Sequence, residues 1–369
     1  MLKVTIDLEA IRHNYRFLGS ICGSQMMPVV KADAYGHGLV RVALALASEG
    51  AEAFAVGTVD EGLGLREHLH EADIYSLMGP VWDEDYQKLT NSGITSFIHS
   101  WEQLKRLAQE IPKEDIIEIG IKFDTGMSRL GFEPGDAGKL CDFFNDNSRL
   151  RLKIISSHLA FADDPRMAHQ VGEQVEILDG VSRIFAQAGL KHKKSLANSA
   201  AILHSPGAWS DIVRPGIALY GGNPFTGTSC EEKGLCLKQV MKVRAPVLSV
   251  HNLPKGRGIS YGLTFTAPRD MRVAIIGCGY AHNYSRSLSN RAWMLYKDRR
   301  LPVIGRVCMQ LTAVDASCVP LIKPGDEVFI LGGNGNSSIE VHELSAWWKT
   351  VSYEVLCLLG KNEKTYINS

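Results

Sequence analysis

Neither sign of charge prevails in this 369-residue chain, no apolar run is long enough to cross a membrane, and no two cysteines form a C-x-x-C pair. Each absence removes a class of function. Lys plus Arg number 40 and Asp plus Glu number 40, so the formal net charge is zero, nothing suggests a polyanion partner, and no nucleic-acid ligand is expected. No stretch approaches the roughly 18 uninterrupted apolar residues of a membrane helix. The segment Met1-Leu2-Lys3-Val4-Thr5-Ile6-Asp7 also lacks a signal-like run, and a soluble cytoplasmic protein with no membrane partner is expected. The eight cysteines (Cys22, Cys141, Cys230, Cys236, Cys278, Cys308, Cys318, Cys357) are scattered, and no His cluster has metal-ligand spacing. Reduced thiols and no metal site are expected.

What the chain does have is alternation. Short apolar runs at 26–31, 54–57, 74–78, 94–98, 116–123, 152–157, 194–197 and 211–214 read as strands. Between most of them lie helical patterns, for example 61–69, 101–111 and 167–188. Eight β-α units imply a closed (β/α)8 barrel of the TIM type. After about Tyr220 the texture changes to short strands parted by Gly and Pro, at 243–250, 272–276, 292–296, 302–309 and 327–331. An amphipathic helix over 341–358 follows, and Asp298-Arg299-Arg300 lies near a hairpin turn. The fold class expected is α/β, with a barrel over 1–235 and a mainly β C-terminal domain over 236–369.

Barrel chemistry belongs at the C-terminal tips of the strands. Lys31 ends the first run, Lys122, Asp124 and Arg129 follow the fifth, His158 ends the sixth, Asn198 and Ser199 follow the seventh, and Arg214 ends the eighth. Individually each has a bland reading: a strand-end lysine is ordinarily solvated, a strand-end histidine is ordinarily a satisfied core residue, and Lys122 beside Asp124 is an ordinary ion pair. Their coincidence at one end is harder to dismiss. A lysine desolvated there loses its proton near neutral pH and attacks an aldehyde.

The stretch Val29-Val30-Lys31-Ala32-Asp33-Ala34-Tyr35-Gly36-His37-Gly38 resembles the cofactor-lysine motif of alanine racemases, pyridoxal-phosphate enzymes with a barrel and a β-domain. Lys122-Phe123-Asp124-Thr125-Gly126-Met127-Ser128-Arg129-Leu130-Gly131-Phe132 is similar to the family's K-x-D-T-G-M-x-R-L-G motif. Ser157-His158-Leu159-Ala160, Ala197-Asn198-Ser199-Ala200-Ala201 and the run Val213-Arg214-Pro215-Gly216-Ile217-Ala218-Leu219-Tyr220-Gly221 match three more, and Ser260-Tyr261-Gly262-Leu263-Thr264-Phe265 resembles S-Y-G-x-x-F. The likeness runs from about Asp7 to Tyr366.

The resemblance implies that Lys31 attaches the cofactor and Arg214 meets its pyridine nitrogen, with His158 and Asn198 also at the cofactor. Tyr35, Ser199, the backbone of Gly216 and Ile217, and Tyr353 would hold its phosphate. Arg129 and the backbone of Met309 would hold the substrate carboxylate, Lys122 matches a position often carbamylated, and Tyr280 and Arg286 would line the access channel. An arginine donates a hydrogen bond to the pyridine nitrogen without surrendering its proton, which restrains the ring as an electron sink. A racemase needs a proton-transfer group on each face of Cα, and the resemblance makes these Lys31 and Tyr261. On frequency alone Tyr261 is a strand aromatic in the core. With an ordinary tyrosine pKa of about 10 it needs cationic neighbours to act as a base, for which His158 and Arg214 are candidates.

The resemblance further implies a homodimer with shared sites, Tyr261, Cys308 and Met309 acting in trans, and a small amino-acid substrate. L- and D-alanine for cell-wall precursors is the reading expected; a serine or broad-specificity racemase and a pyridoxal-phosphate-binding protein without turnover are the alternatives. Barrel-type decarboxylases put an acidic group on the pyridine nitrogen, against which Arg214 argues. Two departures from the family pattern stand out: His282-Asn283 where Asp-Gly is usual, and Gln310 where Asp is usual.

Overall fold

The structure, a computed structural model, describes residues 2–90, 92–112, 114–334 and 337–368. Its contacts divide the chain into two compact units, one of Ile11–Ala34 and Leu39–Leu237, the other of Met1–Ala10, Tyr35–Gly38 and Lys238–Ser369. The first ten residues and the short segment after Lys31, both expected within the barrel domain, thus belong to the second unit.

Strand β1 (Lys3–Asp7) lies in the second unit, and the first unit is built on β2 (Gln25–Met26), β3 (Ala53–Val56), β4 (Asp73–Ser76), β5 (Ile94–Ile98), β6 (Ile117–Lys122), β7 (Leu150–Ser156), β8 (Lys193–Asn198) and β9 (Ile212–Arg214). These eight are parallel and ordered β2-β9-β8-β7-β6-β5-β4-β3. The ring closes where the Val30 N–H donates to the Ala55 carbonyl (2.8 Å) and the Ala55 N–H to that of Pro28 (2.9 Å). Every residue of β3 and of β5 is buried, as expected of parallel strands covered on both faces. Gly120 in β6 leaves the space that Phe97 fills, since a Cβ there would meet the Phe97 ring at 2.7 Å.

The expected run 26–31 is a strand only over Gln25–Met26, followed by a lone bridge at Val29. Pro28 is the physical reason, because it has no N–H to give a ladder. Helix starts carry legible caps: Thr58 and Glu61 form a capping box on Val59–Arg66, and Ser100 caps Trp101–Glu110.

In the second unit β1 pairs antiparallel with β10 (Met241–Leu253) and parallel with Lys364–Ile367. The long β10 shows the alternating burial of a sheet with one covered face, and pairs with both Met271–Ile276 and Glu327–Asn334. Trp293–Tyr296 and Arg299–Ile304 form the expected hairpin around Lys297 and Asp298. Two expectations are corrected here. The run 302–309 leaves the sheet after Ile304, because Gly305 turns the chain at φ +72°, and Cys308 and Met309 lie in the irregular segment that follows. The single helix over 341–358 is two, Val341–Trp348 and Ser352–Leu359, broken where Lys349 takes φ +64°.

Candidate active site

Lys31 is exposed at the mouth of the barrel unit, at the start of one helical turn, Lys31–Gly36. The turn is left-handed: Ala32, Asp33, Ala34 and Tyr35 have φ between 53° and 54°, and Gly36 and Gly38 follow at 81° and 97°. Left-handed backbone costs an L-residue about 1–2 kcal/mol, so neighbours must hold the turn. The Ala34 N–H donates to the Val30 carbonyl (2.8 Å), and Asp33 Oδ1 accepts the Leu39 N–H (2.8 Å) at the start of helix Leu39–Ala47.

Arg214, at the tip of β9, is only 6% exposed. Its Nη1 donates to Ser156 Oγ (2.9 Å) and Ser195 Oγ (2.5 Å). Its Nη2 donates to the carbonyls of Ser157 (2.6 Å) and Leu196 (3.3 Å) and lies 3.5 Å from His158 Nδ1. All these acceptors are neutral, and Nε–H alone has no partner among the described residues. Burial lowers the guanidinium to about 10, still protonated at neutral pH. Sequence reasoning assigned no role to Ser156 and Ser195, whose only signal is a polar residue near the end of an apolar strand. It likewise missed Gln174, buried on helix Ala168–Gln187, which donates to Thr125 Oγ1 and to the His158 carbonyl (3.2 Å each).

Around Arg214 the unit gathers cations. Burial first, then Arg214, Arg129 and Lys31, lower Lys122 to about 8. Burial, then Arg214, Lys122, Arg129 and Lys31, lower His158 to about 3. His158 is therefore neutral at physiological pH, which removes it as a cationic neighbour for a tyrosine base. Asp124 opposes the cluster only in part, raising Lys122 through its charge while its oxygens are engaged elsewhere. Its Oδ1 accepts the N–H groups of Gly126, Met127 and Ser128, and its Oδ2 that of Arg129 at 3.1 Å, fixing the loop that carries Arg129. Burial works to raise Asp124, but these four bonds leave it below the usual range. The result is a site poised for an anion.

A second polar group lies at the tips of β8 and β9. Asn198 caps helix Ser199–His204 by accepting the Ala201 N–H (3.1 Å). Ser199 Oγ accepts the N–H of Gly216 (2.8 Å) and of Ala218 (3.3 Å), which leaves its own proton to donate. The Gly216 N–H, expected on the phosphate, is thus engaged by Ser199. Ile217 opens the 3-10 helix Ile217–Tyr220, where N–H groups lack partners inside the helix.

The second unit carries the remaining residues. Tyr35 is buried with its ring 5.9 Å from that of Tyr353, which is half exposed. Gly36 and Gly360 let the backbones meet: a Cβ on Gly360 would come within 2.1 Å of the Gly36 carbonyl oxygen. Tyr261 is not a core strand aromatic. It is 71% exposed in the 3-10 turn Tyr261–Leu263. Ser260 before it takes φ +65° and donates from Oγ to the Arg306 carbonyl (2.6 Å). Cys308 and Met309 present carbonyls to the N–H groups of Tyr280 (3.1 Å) and Ala281 (2.9 Å), an approach that Gly279 permits. Tyr280, Arg286, Met309 and Gln310 are all exposed. Asn283 takes φ +60°, a conformation asparagine tolerates better than most residues, which explains how it stands where the family usually has Gly.

Two family models match in tandem, "Alanine racemase, N-terminal domain" over residues 6–224 and "Alanine racemase, C-terminal domain" over residues 240–367. An alanine racemase of Nitratidesulfovibrio vulgaris (strain DP4) is 45% identical over 372 residues, spanning 100% of this chain and 97% of that protein. The biosynthetic alanine racemase of Pseudomonas aeruginosa superposes with a TM-score of 0.88 at 32% identity, covering 100% of this chain and 99% of its own. That of Bartonella henselae, solved with covalently bound pyridoxal phosphate, gives 0.87 at 31% identity and 99% of each chain. This chain belongs to the alanine racemase family.

Proposed function

We propose that the chain interconverts L- and D-alanine with pyridoxal phosphate as cofactor. The observation that carries the reading is Arg214: a buried guanidinium whose terminal nitrogens are committed to neutral acceptors, with Nε–H left to donate. Such a donor holds a pyridine nitrogen while keeping its own proton, because about 10 lies far above neutral pH. Ser199, with two amide donors on its oxygen and a proton to give, fits a phosphate oxygen. Tyr35, Tyr353 and the Ile217 N–H complete the phosphate set, Asn198 orients the helix that bears Ser199, and His158 lies beside Arg214 as a neutral imidazole. Bound there, the cofactor supplies the electron withdrawal that makes an amino-acid Cα proton removable.

Lys31 binds the cofactor aldehyde and moves the proton on one face of Cα. Tyr261 moves it on the other. Arg129 and the Met309 backbone hold the substrate carboxylate, and Tyr280 and Arg286 line the approach. The exposure of Tyr261 supports a homodimer in which a second copy covers it. The product serves cell-wall precursor synthesis in the cytoplasm.

Incubation of the pure protein and cofactor with L-alanine in deuterated water tests the activity. Loss of the Cα proton resonance together with appearance of D-alanine is expected. Cofactor binding without exchange would leave a binding protein instead.

A further inference from the structure

A capping box needs one carboxylate oxygen, and Glu61 uses both of its own. On helix Val59–Arg66 the Glu61 N–H donates to Thr58 Oγ1 (3.1 Å), and the Thr58 N–H donates back to Glu61 Oε2 (3.4 Å). That exchange caps the helix. The same Oε2 accepts a shorter bond from the Gly57 N–H (2.7 Å), at the tip of β3, and Oε1 accepts the Ala32 N–H (2.8 Å). Ala32 is the residue after Lys31 and the first of the left-handed turn. One carboxylate therefore ties a strand tip to the peptide unit that fixes the Lys31 Cα. Gly57 belongs to the arrangement too: a Cβ there would lie 3.1 Å from Glu61 Oε2 and 3.5 Å from the Lys31 Cβ.

We propose that Glu61 is a positioning residue for Lys31: by holding the Ala32 N–H it keeps the left-handed turn from relaxing and so sets where the Lys31 amine stands. The need follows from the strain. Four successive non-glycine residues near φ +54° have right-handed alternatives of lower local energy, and the first peptide of the turn decides which hand the rest follow. Charge-assisted bonds from a carboxylate to backbone N–H groups are among the stronger ones available for that purpose. The inference rests on the reading of Lys31 as the residue that binds the cofactor and moves a substrate proton.

Its test compares Glu61→Gln with Thr58→Ala in the holoenzyme. Glutamine keeps the length but has one acceptor oxygen, so the bonds to Gly57 and Ala32 cannot both survive. Thr58→Ala removes the other half of the cap and leaves the Ala32 bond intact. Both variants lower the melting temperature by a few degrees, as loss of a cap does. Only Glu61→Gln lowers kcat, by between about 10- and 100-fold with KM for alanine little changed, as a misplaced reacting group requires. A second readout is independent of turnover: after borohydride reduction, peptide mass spectrometry measures the fraction of Lys31 bearing pyridoxal phosphate. Glu61→Gln needs roughly tenfold more cofactor for half-labelling, the loss expected for one charge-assisted bond. Gly57→Ala, which only nudges the carboxylate, shows the same signature in milder form. Equal behaviour of Glu61→Gln and Thr58→Ala in capture and kcat overturns the proposal. Failure of the wild-type protein to label Lys31 overturns instead the reading on which it rests.

Discussion

Lys122 stands where three cations, Arg214, Arg129 and Lys31, press on a half-buried amine, and lowering it to about 8 gives an appreciable neutral fraction near physiological pH. A neutral amine adds carbon dioxide: nitrogen bonds to carbon and a proton leaves, converting a repelling cation into an anion beside Arg129. With labelled bicarbonate near pH 8, a carbamate carbon resonance is expected that is absent in Lys122→Ala; its absence from the wild-type protein would remove the modification. The stability consequence has a definite sign. Below about 8 Lys122 is protonated folded and unfolded, and the folded chain bears the full penalty; between about 8 and the ordinary 10.5 only the unfolded chain holds the proton, so stability rises with pH there. At this scale the sequence was informative about chemistry-bearing side chains, because Lys122, His158 and Arg214 sit at or just beyond the ends of apolar strands and Lys31 closes an apolar run. It was silent on Ser156 and Ser195, since a serine is recognisable as a partner only once Arg214 is seen to reach it.

At the scale of elements, Gly36 and Gly360 carry more of the second unit than their size implies. Gly36 is left-handed at φ +81°, a Cβ on it would meet the Leu356 carbonyl oxygen at 2.6 Å, and one on Gly360 would meet the Gly36 oxygen at 2.1 Å. These obstacles are backbone atoms, which cannot swing aside. Gly360→Ala should therefore separate the turn from helix Ser352–Leu359 and, with it, Tyr35 from Tyr353. A loss of about 1–3 kcal/mol in denaturant unfolding is expected, with weaker cofactor retention; a neutral effect on both would show that the contact is dispensable. The barrel strands were legible because burial on both faces writes them as continuous apolar runs. Strand β1 was not, because its partners β10 and Lys364–Ile367 lie at the far end of the sequence and only pairing defines it. Helix 341–358 was misjudged because its apolar pattern persists across Lys349, whose left-handed conformation no composition signal marks.

For the whole molecule the question is how many chains one site requires. The second unit exposes Tyr261 (71%), Leu263 (62%) and Met309 (58%), large apolar surface around a residue assigned to proton transfer, and the barrel unit exposes Trp82 (71%) and Val81 (53%). In the proposed homodimer a second copy of the chain would cover such surfaces, and a site that takes Lys31 from one chain would take Tyr261 from the other. Lys31→Ala and Tyr261→Phe should each be nearly inactive alone. Mixed, dissociated and reassociated, they form hybrids in which one of two sites pairs a native Lys31 with a native Tyr261. Random assortment then restores about a quarter of wild-type activity per chain, since about half the dimers are hybrid and each hybrid has one competent site. Sites made within a single chain would gain nothing from mixing, because every chain would still lack one group. Activity that stays at the sum of the two variants while native mass spectrometry shows hybrid dimers would refute the shared site, and a fully active monomer in sedimentation would refute the dimer itself.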